Sequence, residues 1–178
     1  MQISFVEQIP DERAAGARGS RLTIVCPWLK GLPPRSGLWI SALPIHDVND
    51  FVDSSADFSA PQEMQRSLYF GLFALDRFRS AERLLSLLRD KGVERIINLP
   101  SVSFFDGWSA SILESLDLGY AQEVAFLHDA KRQGFHVGLC ARRSALSKIE
   151  NIEMFDIVLC HDGPKSEFSL WKSGATPA

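Results

Sequence analysis

Short apolar runs alternate along this chain with segments whose apolar residues recur every three to four positions. Leu22–Cys26, Leu68–Phe73, Arg95–Leu99, Phe135–Cys140 and Phe155–Cys160 read as strands, apolar on both faces. Leu38–Leu43 reads as a further short strand or an ordered loop. The clearest helix follows the Leu68 run: Phe78, Leu84, Leu85, Leu87 and Leu88 line one side, and Lys91-Gly92 ends it with a cation and a left-handed stop. Tyr120–Arg132 is predicted as a helix closed by Gly134, with shorter helices over His46–Val52 and Ser144–Glu150. Buried strands separated by amphipathic helices predict an α/β fold with a parallel sheet and crossover connections.

Residues 1–20 read as an N-terminal extension, 21–165 as the folded domain and 166–178 as a flexible polar tail. The stretch Asp53–Pro61 reads as a polar turn region. The connection Asp106–Leu118 is long for a strand-to-helix loop, and such loops more often carry function than not.

Composition narrows the classes. Hydrophobic residues make up 46% and charged residues 23%, with a net charge of −3 and no basic stripe. That balance gives no electrostatic case for a nucleic-acid partner. No apolar stretch approaches the ~20 residues of a membrane span, and the first twenty residues lack a signal-peptide core. A cytoplasmic chain is expected. Cys26, Cys140 and Cys160 have neither metal-ligand spacing nor a disulfide framework and read as buried reduced thiols.

The candidate chemistry lies at the strand ends. After the Leu68 strand comes Asp76, and Asn98 ends the Arg95 strand with Ser101, Ser103 and Asp106 beyond. Arg142 follows the Phe135 strand, and His161-Asp162 follows the Phe155 strand. In a parallel sheet these converge on one rim, where such groups could hold a carboxylate or phosphate, place a divalent cation and move protons. Each has a plainer reading. Asp76 could cap the next helix, Asn98 and Asp106-Gly107 are turn formers, and Glu123 could be an exposed first-turn acid. His161 could be a core histidine, and His46, His128 and His136 are given no role.

The segment Leu68–Glu123 resembles the phosphoenolpyruvate hydrolase-like TIM-barrel family, also described as TIM-barrel signal-transduction proteins. These are related to the phosphoenolpyruvate mutase and isocitrate lyase barrels. The resemblance is carried by Ala74-Leu75-Asp76-Arg77-Phe78-Arg79 and by Asn98-Leu99-Pro100-Ser101-Val102-Ser103-Phe104-Phe105-Asp106-Gly107. It continues through Leu113-Glu114-Ser115-Leu116-Asp117-Leu118-Gly119-Tyr120 and Glu123-Val124. Gly37-Leu38, Leu43-Pro44 and the run Asp156–Pro164 echo the family more weakly. The chain departs from the family's run at Leu75, where the family has Thr, and at Ser115-Leu116, where it has Glu-Thr. Val137-Gly138-Leu139-Cys140 replaces a Thr-Thr-Pro-Tyr strand.

The resemblance implies a parallel (β/α) barrel of TIM type. With five clear strands and a sixth candidate, against the ~250 residues of a complete barrel, it would be truncated. A homo-oligomer or a partner chain would then complete the sheet. The implied function is an enzyme acting on a small α-keto acid or phosphoenolpyruvate-type substrate, a hydrolase or lyase. Asp106, His161 and Glu123 would be its catalytic residues and Asn98, Ser101 and Arg142 its substrate ligands. Asp76 and Glu123 would hold Mg2+. The alternative is a catalytically degenerate barrel that serves as a ligand-sensing or protein-interaction module, which the shortened chain and the lost Thr and Glu favour.

Overall fold

A computed structural model describes residues 2–10, 21–33, 37–43, 46–54, 58–60, 62, 64–163 and 167–171. The motif ends Pro44 and Pro164, parts of the Asp53–Pro61 turn, and most of the two terminal segments (1, 11–20 and 172–178) lie outside these residues. The described chain forms one seven-stranded sheet: β1 (Gln2–Val6), β2 (Arg21–Val25), β3 (Leu68–Leu72), β4 (Arg95–Asn98), β5 (His136–Arg142), β6 (Ile157–His161) and β7 (Ser169–Leu170). Neighbours in the sheet are neighbours in sequence from β1 to β7. All pairings are parallel except β6 with β7.

Sequential order with every crossover in the same direction winds a twisted sheet around on itself. The Phe5 ring of β1 lies 5.2 Å from that of Phe168, just before β7. The two edges therefore meet through side chains without being hydrogen-bonded to each other. The result is a nearly barrel-shaped sheet with helices outside it.

Among the described residues four α-helices accompany the strands: α1 (Gly37–Ile40), α2 (Ala81–Asp90), α3 (Gly107–Ser115) and α4 (Tyr120–Arg132). Ser80 caps α2 by accepting from the Arg83 N–H, and Gly92 ends it at φ +74. Its buried residues are Leu84, Leu85 and Leu88, whereas Phe78 is 69% exposed and stands outside the stripe the sequence assigned it to. α4 buries Glu123, Phe126, Leu127 and Ala130, a stripe at positions i, i+3, i+4 and i+7.

Several elements differ from expectation. Leu38–Leu43 starts as a helical turn, because four residues of apolar sequence cannot distinguish the two periods. The long loop after Asp106 contains α3, which buries no residue and so lacks the stripe that betrays a helix. Residues assigned to the N-terminal extension and the tail supply β1 and β7.

Small residues shape the inside. Asn98 turns its side chain to α4, so its neighbour Ile97 faces inward, level with Gly71, Gly138 and, beyond Gly138, Ile157. A Cβ on Gly71 would lie 2.7 Å from the Leu99 carbonyl and 2.9 Å from Cys26 Sγ. One on Gly138 would lie 2.9 Å from Ile157 Cγ1. Glycine beside isoleucine lets the curved interior close at these levels. Gly71→Ala should therefore destabilise the chain by about 1–3 kcal/mol. A urea melt should show a lower midpoint with an unchanged slope, and an unchanged midpoint would mean that the interior is looser than described.

Candidate functional site

Asn98 closes β4, the Leu99–Pro100 peptide is cis, and a single 3-10 turn, Val102–Phe104, leads on to α3. Glu123 rises from α4 beneath this turn, fully buried. Its Oε2 accepts from Asn98 Nδ2 at 2.8 Å and from Ser101 Oγ at 2.6 Å, and its Oε1 from the Val102 N–H at 2.9 Å. Asn98 also donates to the Cys140 carbonyl at 3.1 Å and accepts from the Cys140 N–H at 2.6 Å, which pins β5. The Tyr120 hydroxyl donates to the same carbonyl at 2.9 Å.

From Ser101 the network runs to Ser103, with 2.8 Å between hydroxyls, and from Ser103 Oγ to His161 Nε2 at 3.0 Å. Glu123, Ser101, Ser103 and His161 thus form one buried chain of four exchangeable protons' worth of donors and acceptors. Burial pushes the Glu123 carboxyl up to about 7, although its bonds from Ser101, Val102 and Asn98 pull it down. Burial, with the Arg142 cation adding to it, depresses His161 to about 4, while Asp162 and the Gly163 backbone oppose. His161 Nδ1 is buried without a well-formed hydrogen bond. The ring packs edge-on against Phe104 at 4.9 Å and lies 5.9 Å from Phe168.

Near neutrality Glu123 therefore holds its proton about half of the time, and His161 is uncharged. The two serine hydroxyls can reverse direction and pass that proton along.

Arg142 closes the rim. Its Nε donates to the Ser103 carbonyl at 3.3 Å and its Nη2 to the Phe104 carbonyl at 3.0 Å, and its Nη1 pairs with Asp106 at 3.1 Å. The Asp106 side chain is 75% exposed, so that pair contributes little. Beside it lies a cavity of 120 Å3 lined by Val102, Ser103, Leu113, Tyr120 and Arg142 among others.

The structure thus brings Asn98, Ser101, Glu123 and His161 together, sets Arg142 at their mouth, and leaves Asp106 on the surface. Asp76 belongs to a different cluster. Its carboxylate accepts from the Phe78 and Arg79 N–H groups at 2.7 and 3.1 Å, from Asn49 Nδ2 at 2.9 Å and from Arg79 Nη1 at 3.1 Å. Arg79 also pairs with Asp47 and Asp53, bonds that hold it firmly charged. Asp76 is thus a clamp for its own turn, and Ser80 is the cap of α2. Asp76 and Glu123 are bonded to separate donors, which does not fit a shared cation. Among the described residues no three His, Cys, Asp or Glu side chains gather as a metal cage.

Sequence reasoning gave no role to Ser103 in the relay, to Tyr120, or to the Arg79 cluster. Tyr120 and Glu123 share a helix face three residues apart, a spacing that could have flagged the pair.

A nearly closed, sequentially wound parallel sheet with its polar residues at the strand ends is an α/β barrel-type architecture with a strand-end site. The chain belongs to the phosphoenolpyruvate hydrolase-like family, whose sequence profile matches residues 35–167. It is 34% identical over 114 residues to the uncharacterized protein y4oT of Sinorhizobium fredii (strain NBRC 101917 / NGR234), covering 64% of this chain and 57% of that protein. It is 30% identical over 132 residues to the ToMV susceptible protein tm-1(GCR26) and to the ToMV resistance protein Tm-1(GCR237) of Solanum lycopersicum. Those matches cover 72% of this chain and 17% of each tomato protein. The chain thus spans little over half of the bacterial relative and about a sixth of the tomato ones.

The two shifted groups oppose each other in stability. Glu123, raised from 4.5 to about 7, holds a proton that the unfolded chain releases, so its contribution falls as pH rises through that window. His161, lowered from 6.5 to about 4, excludes a proton that the unfolded chain binds, so its contribution rises with pH between those values. Each is worth on the order of 3 kcal/mol at full extent. Urea melts from pH 4 to 7.5 should show wild type gaining on His161→Gln as pH rises and losing ground to Glu123→Gln. Three parallel curves would mean that neither group is shifted.

Proposed function

We propose that this chain is a phosphoenolpyruvate hydrolase-like enzyme acting on a small α-keto acid or phosphoenolpyruvate-type substrate. The observation that carries the reading is the buried relay from Glu123 through Ser101 and Ser103 to His161, opening beside Arg142 at the strand C-terminal ends. A carboxyl group poised near 7 in a site that excludes water is the setting of a general acid or base. The substrate carboxylate takes the place of exposed Asp106 on Arg142. Keto–enol chemistry then requires a proton to be added to or removed from the carbon beside the carbonyl. Ser103 Oγ, the relay member that lines the cavity, delivers it from Glu123 or receives it toward His161.

On this reading the sheet is a TIM-type barrel in shortened form, and its β1 and β7 edges, unpaired among the described residues, are where a second copy or a partner chain would add. The three buried free thiols support a cytoplasmic location, and no described helix is long and apolar enough to cross a membrane.

One observation favours the alternative of a catalytically degenerate module that senses a ligand or binds a protein. Asn98, Ser101, Glu123 and His161 are each 0% exposed, so the cluster also serves as a structural core. The tomato relatives, named for resistance and susceptibility to a virus, point the same way.

Thermal unfolding with phosphoenolpyruvate, phosphonopyruvate or oxaloacetate, each with and without Mg2+, separates the two. A ligand at ~100 times its dissociation constant adds about 2.7 kcal/mol. The enzyme reading expects a stabilising ligand that is also turned over, with kcat/KM falling above about pH 7 as Glu123 loses its proton. Arg142→Ala should weaken that ligand by roughly tenfold or more, whereas Asp106→Ala should leave it unchanged or tighter. A melting transition that no keto acid moves would sink the enzyme reading.

A further inference from the structure

A second cavity, of 330 Å3, lies at the strand ends between the segment that includes Ala42–Leu43 and His46–Asn49, the turn after β3, and α3. Its walls are apolar, formed by Val48, Phe73, Leu75, Leu113 and Leu118, and it shares only Val102 and Leu113 with the smaller cavity. Leu43, Phe78 and Leu116 also line it and are 40%, 69% and 59% exposed. An open cavity with such walls is characteristic of a binding site for an apolar body.

The polar groups in the lining differ in whether they already have partners. Asp47 is bonded through both oxygens to Arg79, a guanidinium it shares with Asp53 and Asp76. Asn49 spends its amide on the Phe73 backbone and on Asp76. Arg77 is different, being exposed with no ion pair among the described residues, and His46 also lines the cavity. The site therefore presents an apolar wall beside a guanidinium that has no ion pair among the described residues. A compact, multiply charged anion would leave the apolar wall unfilled and meet one cation only. An apolar body with a single anionic head satisfies both.

We propose that this cavity binds an amphiphilic carboxylic acid of about ten heavy atoms, at roughly 30 Å3 each, its aliphatic body against Leu75, Leu113 and Leu118 and its carboxylate on Arg77. The site stands apart from the Glu123 relay and holds whether or not the chain is an enzyme.

Calorimetric titration of the full chain with octanoate and with octan-1-ol tests it. Octanoate should bind about fivefold more tightly than the alcohol, the contribution of one partly exposed ion pair. Arg77→Ala should bring octanoate down to the alcohol's affinity without changing the alcohol. Leu116→Glu should weaken both, and since both side chains are exposed, circular dichroism and melting temperature should match wild type. Saturating phosphoenolpyruvate should displace neither ligand. Equal octanoate affinity in Arg77→Ala, binding of neither ligand, or displacement by phosphoenolpyruvate would each overturn the proposal.

Discussion

The burial of one carboxyl group organises the functional end of this fold. An unpaired carboxylate at the position of Glu123 would cost far more than any local packing returns. It is tolerated because Asn98, Ser101 and the Val102 N–H, all from one five-residue stretch, converge on it. Holding those donors fixes the stretch, and the stretch is the connection between β4 and α3. Asn98 then extends the clip to β5 by bonding both backbone groups of Cys140. Loop, helix and strand are thus secured by a network in which the loss of one member leaves the others without partners.

Everything at the rim inherits its position from that clip. Ser103 and Phe104 lie in the turn it holds, so the hydroxyl meets His161 and the ring seats against His161 and Phe168. Phe168 in turn reaches Phe5 across the open edges of the sheet. The same turn offers two carbonyls to Arg142, so the guanidinium stands over the cavity with one nitrogen committed only to a solvated aspartate. The dryness that lifts Glu123 and depresses His161 is therefore the dryness that closes the mouth of the sheet.

Much of this was legible in the sequence, and the rest fails for identifiable reasons. The parallel strands and the two long helices followed from local periodicity and from Gly92 and Gly134 acting where their chemistry suits a helix end, whereas the cap of α2 is Ser80 and not Asp76. α3 was hidden because it buries nothing, and β7 because two residues carry no period. Glu123 was readable in principle, since it occupies the first place of the stripe Phe126, Leu127 and Ala130, where an acid has to be paired. The clamp of Arg79 on Asp47, Asp53 and Asp76 was not, because it joins loops 32 and 26 residues apart. Asp76 and Asp106 look alike as strand-end acids. One is enclosed by four N–H donors and the other is in water, a difference that only tertiary structure sets.

Two departures from the family's run acquire a common meaning in three dimensions. Leu75 stands where the family has Thr, and Leu116 falls where it has a Glu-Thr pair, and both line the larger cavity. On that resemblance each exchange removes a hydrogen-bonding group from the rim and adds apolar wall beside the Glu123 clip. A chain that had merely lost its site would have no reason to keep a buried acid in a four-residue polar network, which hydrophobic packing could replace at no loss of stability. The polar network and the apolar wall thus stand side by side at the rim, meeting at Val102, whose N–H holds Glu123 and whose side chain lines both cavities.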